Sequence, residues 1–171
     1  MVELRKKILK NVKRIVIKVG TSVITGEHGR LDSRRIGSIV SQICRVIDKG
    51  IDVIVVSSGA IGAGMGILGL KARPTGISHK QAAAAVGQIQ LMKLYDDFFK
   101  AKNKKIAQVL LTQDDFSDKK RYLNAKATLL TILQYQAAPI INENDTIATE
   151  EIKFGDNDKL SGLVAKLSDA G

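Results

Sequence analysis

An α/β fold, a three-layer αβα sandwich around an open and mainly parallel sheet, follows from three features of the sequence. Apolar runs of strand length alternate with segments whose apolar residues recur at helical spacing, the order that parallel strands with helical crossovers require. The run Ile51-Asp52-Val53-Ile54-Val55-Val56 is β-branched and almost without a polar face, which predicts a strand covered on both sides. The strand candidates also end in small or polar residues, the place where open α/β sheets carry ligands.

Taken in order, residues 1–13 read as a basic helix or tail. Arg14 to Gly20 is an apolar strand candidate ending in glycine. Gly26 to Gly29 predict a turn or hairpin tip, and Asp32 or Ser33 can cap the next helix. Ile36, Ile39, Val40, Ile43, Val46 and Ile47 give that helix one apolar face, with Gly50 as its C-cap. Strand 51–56 follows, so the first crossover is parallel and right-handed. Next, Gly59, Gly62, Gly64, Gly66 and Gly69 punctuate a glycine-rich stretch. Two uses fit it: close approach of backbone to a ligand, or close helix–strand packing.

A loop around Pro74 precedes Ser78-His79-Lys80-Gln81, which fits a capping box for an Ala-rich helix running to about Lys100. Its apolar contacts are expected from Val86, Ile89, Met92, Leu94, Tyr95, Phe98 and Phe99. Lys105–Leu111 is a third strand. A helix over about 118–136 carries Tyr122, Leu123, Ala125, Leu129, Leu130 and Leu133. Pro139-Ile140-Ile141 is a fourth strand, and Thr146 to Lys153 predicts a small hairpin. A last helix begins near Asn157, with Leu160, Leu163, Val164 and Leu167 on one face. In this pattern each earlier helix introduces a strand, whereas the last helix stops at Ser168-Asp169-Ala170-Gly171. The sequence is therefore expected to be part of a larger domain: 1–13 a basic tail, 14–171 a domain truncated at its C-terminus.

Composition narrows the function. The 171 residues are 44% apolar and 26% charged, the balance of a globular protein. No apolar run has the length of a membrane span, and residues 1–13 show no signal-peptide core. A single cysteine, Cys44, forms no internal disulfide and points to a reducing, cytoplasmic compartment. The formal charge is +10, concentrated in residues 5–14 and in Lys100, Lys102, Lys104 and Lys105. Aromatics are 4% and not interleaved with these clusters, so a stacking platform for nucleic acid is not expected. His28 and His79 lack a third ligand at zinc spacing, and no metal ligands are assigned.

The chemistry concentrates in residues 142–158. Asn142, Glu143, Asn144 and Asp145 follow the fourth strand, Glu150 and Glu151 lie between, and Asp156, Asn157 and Asp158 open the last helix. Such side chains suit a polar ligand with an amine, although Asn and Asp also crowd into turns for local reasons. Lys18, in an otherwise apolar strand, needs a partner. With Gly20, Thr21 and Ser22 it offers a cation, hydroxyls and an open backbone, groups that bind phosphate. No Walker sequence is present, so this is not a P-loop. Ser58 and Gly59 end the second strand as candidate ligand contacts.

Ile17-Lys18-Val19-Gly20-Thr21-Ser22, Ser57-Ser58-Gly59-Ala60-Ile61, Ile141-Asn142-Glu143-Asn144-Asp145 and Phe154-Gly155-Asp156-Asn157-Asp158 together resemble the glutamate 5-kinases of the amino acid kinase superfamily. Arg121-Tyr122-Leu123-Asn124-Ala125 shares the likeness, which runs from about Arg14 onward. The resemblance implies the amino acid kinase fold with its nucleotide half missing. It also implies ATP-dependent phosphorylation of the L-glutamate side-chain carboxylate to glutamyl 5-phosphate, for proline synthesis, with Mg2+ carried on the ATP phosphates.

By the same resemblance, Lys18 contacts the transferring phosphoryl group, and Gly20, Thr21 and Ser22 line the phosphate path. Ser58, Asp145 and Asn157 bind glutamate, with Asn142, Asp156 and Gly59 beside them, and Asp158 organises the catalytic lysines. Asp145 would hold the ammonium; Asn157 and backbone N–H groups would hold carboxylates. The partners implied are L-glutamate and ATP, with a homo-oligomer in the longer protein and no membrane. Three rivals stand beside this: a non-catalytic glutamate-binding or assembly module, a nucleic-acid binder using the basic tail, and a kinase for a related amino acid.

Overall fold

The computed structural model describes residues 11–26, 30–148 and 157–170. Asp156, Glu150, Glu151, His28, most of the basic tail and most of the expected hairpin after Thr146 lie outside the described residues.

Strands β1 (Arg14–Val19), β2 (Asp52–Ser57), β3 (Lys105–Leu111) and β4 (Ala137–Glu143) form one parallel sheet in the order β1-β2-β4-β3. The helices among the described residues are α1 (Thr21–Ile24), α2 (Ser33–Ile47), α3 (Ala60–Leu68), α4 (Ile77–Lys100), α5 (Asp114–Ser117), α6 (Lys119–Gln134) and α7 (Asp158–Leu167). Side chains alternate across the pleat and so sort into two cores. Ile15, Ile17, Val19, Val53, Val55 and Ile140 meet α2 and α4 on one face. Val16, Ile54, Val56, Val109 and Ile141 meet α6 and α7 on the other. Residues Val53 to Val56 are all buried, as a doubly covered strand requires.

Helix α2 is capped as its sequence predicts: the Asp32 carboxylate accepts from the N–H groups of Arg34 and Arg35 at 3.0 and 3.2 Å. Elsewhere the local signals misled. The expected capping box at Ser78 is not formed. Gly76 is the N-cap, and the Gln81 amide instead donates to the Ala148 carbonyl at 3.2 Å, so tertiary contact took the residue that would have closed the box. Gly50 is not the C-cap of α2: the helix ends at Ile47 with Asp48 as cap, and Gly50 takes a left-handed φ of 79° in the turn beyond. Ile89 and Leu123, expected among the core contacts, are exposed. The buried stripe of α4 runs Ala83, Gly87, Leu91, Tyr95, Phe99, and Ile89 lies about 200° round the helix from Gly87.

The glycine-rich stretch is helix α3, and two of its features are about space. Gly64 and Gly87 are where α3 and α4 cross backbone to backbone. A Cβ on Gly64 would fall 1.8 Å from the Ala83 carbonyl oxygen, and one on Gly87 1.9 Å from that of Ala60. Gly59 opens α3 at φ 102°, a conformation that glycine adopts without strain. The short helix α5 was not foreseen. It forms where the Asp115 carboxylate turns back to accept from the backbone N–H and hydroxyl of Thr112 at 2.6 and 3.0 Å.

Candidate active site at the carboxyl ends of β1, β2 and β4

The helices that follow β2 pack on one face of the sheet, while α7, which follows β4, packs on the other. Adjacent strands whose chains depart to opposite faces leave a crevice between their carboxyl ends. A cleft of about 1140 Å³ opens there. Its lining includes Lys18, Gly20, Thr21 and Ser22 from β1 and α1, Ser58 and Gly59 from β2, Asn142, Glu143 and Asp145 from β4, and Asn157 at the start of α7.

Lys18 sits on the α7 face of β1, in register with Val56. Its ammonium lies 2.9 Å from the Asp158 carboxylate, which is 75% exposed. A Cβ on residue 20 would come within 3.3 Å of that ammonium, so the glycine keeps the space beside the cation open. Thus the strand lysine finds its counter-charge at the first residue of α7.

Asn157 is the junction of the site. It is buried and left-handed at φ 57°, a region that Asn tolerates better than most residues. Its amide nitrogen donates to the Ser57 carbonyl at 3.0 Å, to the Ser58 hydroxyl at 3.1 Å and to Asn142 Oδ1 at 3.0 Å. Two hydrogens facing three acceptors leave none for a ligand, so the nitrogen of Asn157 is committed to the protein. Asn142 is held at both ends. Its oxygen also accepts from the Glu143 N–H at 2.9 Å, and its nitrogen donates to Gln88 Oε1 on α4 at 2.9 Å. Below this layer, the Tyr95 hydroxyl meets Ser57 Oγ at 2.9 Å. Burial raises the Tyr95 phenol to about 12, partly offset by that hydrogen bond.

Of the residues given a catalytic, phosphate-path or substrate role from the sequence, all but Asp156, which lies outside the described residues, are at or beside one cleft; Asp158 stands beside it through Lys18. Arg30, Lys71 and Arg73 on the cleft wall, and Gln88 behind it, were not anticipated. They lie in a loop, beyond a glycine helix and on a helix flank, where no spacing rule marks them. Among the described residues, no group of three or more His, Cys, Asp or Glu side chains could hold a metal ion. No helix among them is long and apolar enough to cross a membrane.

A parallel sheet with a lysine on its edge strand, facing amide and carboxylate loops across the switch-point crevice, defines a class. Residues 13–171 match the Amino acid kinase family, and the chain belongs to that family. Within it, the chain is 50% identical over 167 residues to a glutamate 5-kinase of Syntrophotalea carbinolica, covering 98% of this chain and 44% of that protein. It is 53% identical over 157 residues to one of Caldanaerobacter subterraneus subsp. tengcongensis, covering 92% and 42%. The chain thus spans less than half the length of these relatives. The UMP kinase of Bacillus anthracis, at 17% identity and a TM-score of 0.57 over 93% of this chain and 62% of that one, shares the fold.

Proposed function

We propose that the cleft is the acceptor-substrate site of a kinase that phosphorylates the side-chain carboxylate of L-glutamate, giving glutamyl 5-phosphate at the entry to proline synthesis in the cytoplasm. The observation that carries the reading is the convergence of Lys18, Asp145 and Asn157 on one crevice. The identity of about half to glutamate 5-kinases supports it.

The chemistry asks little covalent work of the protein. The glutamate carboxylate is ionised at neutral pH, so no general base is required. A carboxylate oxygen bonds to the γ-phosphorus of ATP as the bond to the ADP oxygen breaks. The protein's share is in-line positioning and cationic charge. Lys18 brings that cation to the end of β1, and Asp158 fixes where it points. Gly20, Thr21 and Ser22 give the phosphate path an open backbone and hydroxyls. Asp145 takes the substrate ammonium. Ser58, Gly59 and the edge of Asn157 frame the α-carbon, with Asn142 beside them. Mg2+ arrives on the nucleotide phosphates, as a hard cation that prefers phosphate oxygens and water.

On the same reading the longer protein is a homo-oligomer, and the 171-residue chain by itself binds glutamate but turns it over poorly. Calorimetry with L-glutamate, and ATP-dependent trapping of the acyl phosphate by hydroxylamine, test this on the chain. Saturable glutamate heat with little hydroxamate is expected. Absence of glutamate binding at millimolar concentration overturns the substrate. Glutamate heat with no nucleotide heat supports the rival of a binding or assembly module.

A further inference from the structure

We infer that Arg30, Lys71 and Arg73 form an electrostatic capture wall, which draws acceptors of net negative charge into the cleft and favours glutamate over its neutral amide; the inference rests on the amino-acid reading of the cleft. These cations line the same cleft as Lys18 and are exposed. Among the described residues none of them has an ion-pair partner, whereas Lys18 is held by Asp158. The charged lining is Lys18, Arg30, Lys71 and Arg73 against the carboxylates of Glu143 and Asp145, an excess of positive charge.

Their place in the chain sets the range over which they act. Helix α3 begins directly after Ser58 and Gly59, and its 9 residues carry its far end about 13 Å away. Lys71 and Arg73 follow that end, after Gly69 has turned left-handed at φ 67°. Arg30 comes from the segment before α2, and its stem lies against the same helix: a Cβ on Gly66 would meet its Cγ at 3.4 Å. The wall thus stands off the strand ends, and it works through its field rather than by contact. A cleft with an excess of one sign concentrates counter-ions and speeds their association. Glutamate carries a net charge of about −1 at neutral pH, and glutamine carries none. The Debye length is about 30 Å at 0.01 M salt and about 8 Å at 0.15 M, longer and then shorter than α3, so salt switches such a field off.

The test compares the chain with Arg30→Gln, Lys71→Gln and Arg73→Gln, singly and together; all three positions are exposed, so folding changes little. Calorimetry measures L-glutamate and L-glutamine at about 0.01 M and about 0.15 M salt. At low salt the triple variant is expected to bind glutamate about fivefold more weakly and each single variant less than about twofold, with glutamine unchanged. At the higher salt the gap between parent and triple variant should shrink below about twofold. NMR adds a readout without amino acid: relaxation of the Gly66 and Gly69 amide protons by an anionic and by a cationic nitroxide. The anionic probe should relax them more strongly in the parent, and the ratio of the two should fall in the triple variant.

Unchanged glutamate affinity at low salt in the triple variant overturns the inference. So does a loss carried by one residue and indifferent to salt, which marks a direct contact. Equal weakening of glutamate and glutamine marks a merely structural role and overturns it too. If the parent chain binds no glutamate, the amino-acid reading fails. The nitroxide ratio then decides alone: its fall in the triple variant sustains a wall that gathers anions, and an unchanged ratio ends it.

Discussion

Gly87→Ala adds one methyl group at the place where the chain has least room. The new Cβ would fall 1.9 Å from the Ala60 carbonyl oxygen and 2.3 Å from the Gly64 nitrogen. Unstrained carbon–oxygen contacts lie at roughly 3.3 Å, so α3 and α4 must part by about 1.4 Å. The opposing atoms are backbone, which cannot turn aside as a side chain tip does. Ordinary overpacking costs about 1–3 kcal/mol, and this case belongs at the upper end or beyond. Replacing a mid-helix glycine returns up to about 1 kcal/mol of helix propensity. A net loss of roughly 2–4 kcal/mol is expected, a large part of the stability of about 5–15 kcal/mol that a domain of this size has.

Urea unfolding followed by circular dichroism measures the loss as a lower midpoint at unchanged slope. Gly162→Ala is the control. It is an exposed mid-helix position with no atom within 4 Å of the added carbon. That variant is expected to gain about 0.5–1 kcal/mol. The reasoning is refuted if Gly87→Ala lies within about 0.5 kcal/mol of the parent, or if both alanines destabilise alike. Because α3 begins at Ala60, directly after Ser58 and Gly59, the same variant should also weaken glutamate binding.

Other outcomes follow from the geometry. Asp158→Asn removes the partner of Lys18, yet the Asp158 carboxylate is 75% exposed, so stability should change by less than about 1 kcal/mol while catalysis in a chain that turns over falls by orders of magnitude; equal activity would remove Asp158 from the site. Tyr95 has a folded value of about 12 against 10 for a free phenol, so its contribution is complete below pH 10 and is lost as pH rises from 10 towards 12. Tyr95→Phe should flatten that alkaline limb in a stability–pH profile, and an unchanged limb would show that another group titrates there. Arg14 ties β1 to Asp52 at 3.0 Å and to the Ser168 carbonyl at 2.5 Å, so Arg14→Ala should cost about 1–2 kcal/mol in urea unfolding and expose the end of α7 to hydrogen exchange. Burial raises the Cys44 thiol, helped by the nearby Asp48 charge, so a disulfide reagent should react with it only as the protein unfolds.

Legibility in the sequence followed the range over which each residue makes its decision. Ile51–Val56 was readable as a doubly covered strand because its own composition excludes a wet face. Asp32 was readable as a cap because its partners lie two and three residues away. Ser78 and Gln81 failed because Gln81 had a better offer from Ala148, 67 residues along the chain. Gly64 and Gly87 were visible as glycines, but which of their possible uses applied depended on a crossing between two helices. Lys18 could be marked as needing a partner, and the loops after β4 as polar, since buried charge and clustered carboxylates are anomalous by themselves. Gln88 carries no such anomaly. A glutamine on a helix flank is ordinary until the amide behind it is seen to need an acceptor.

The sheet order has a consequence for how the molecule is made. Its central strand, β4, lies between β2 and β3 but is synthesised after both. Until about residue 143 leaves the ribosome, a slot one strand wide separates the β1–β2 pair from β3. The rims of that slot are rows of unmatched peptide groups, able to zip onto each other or onto a neighbouring nascent chain. Closure must wait for the arriving Ala137–Glu143 segment, and the loops that hold the ligand come with it. The strand that joins β3 to the β1–β2 pair also brings the lining of the binding cleft together.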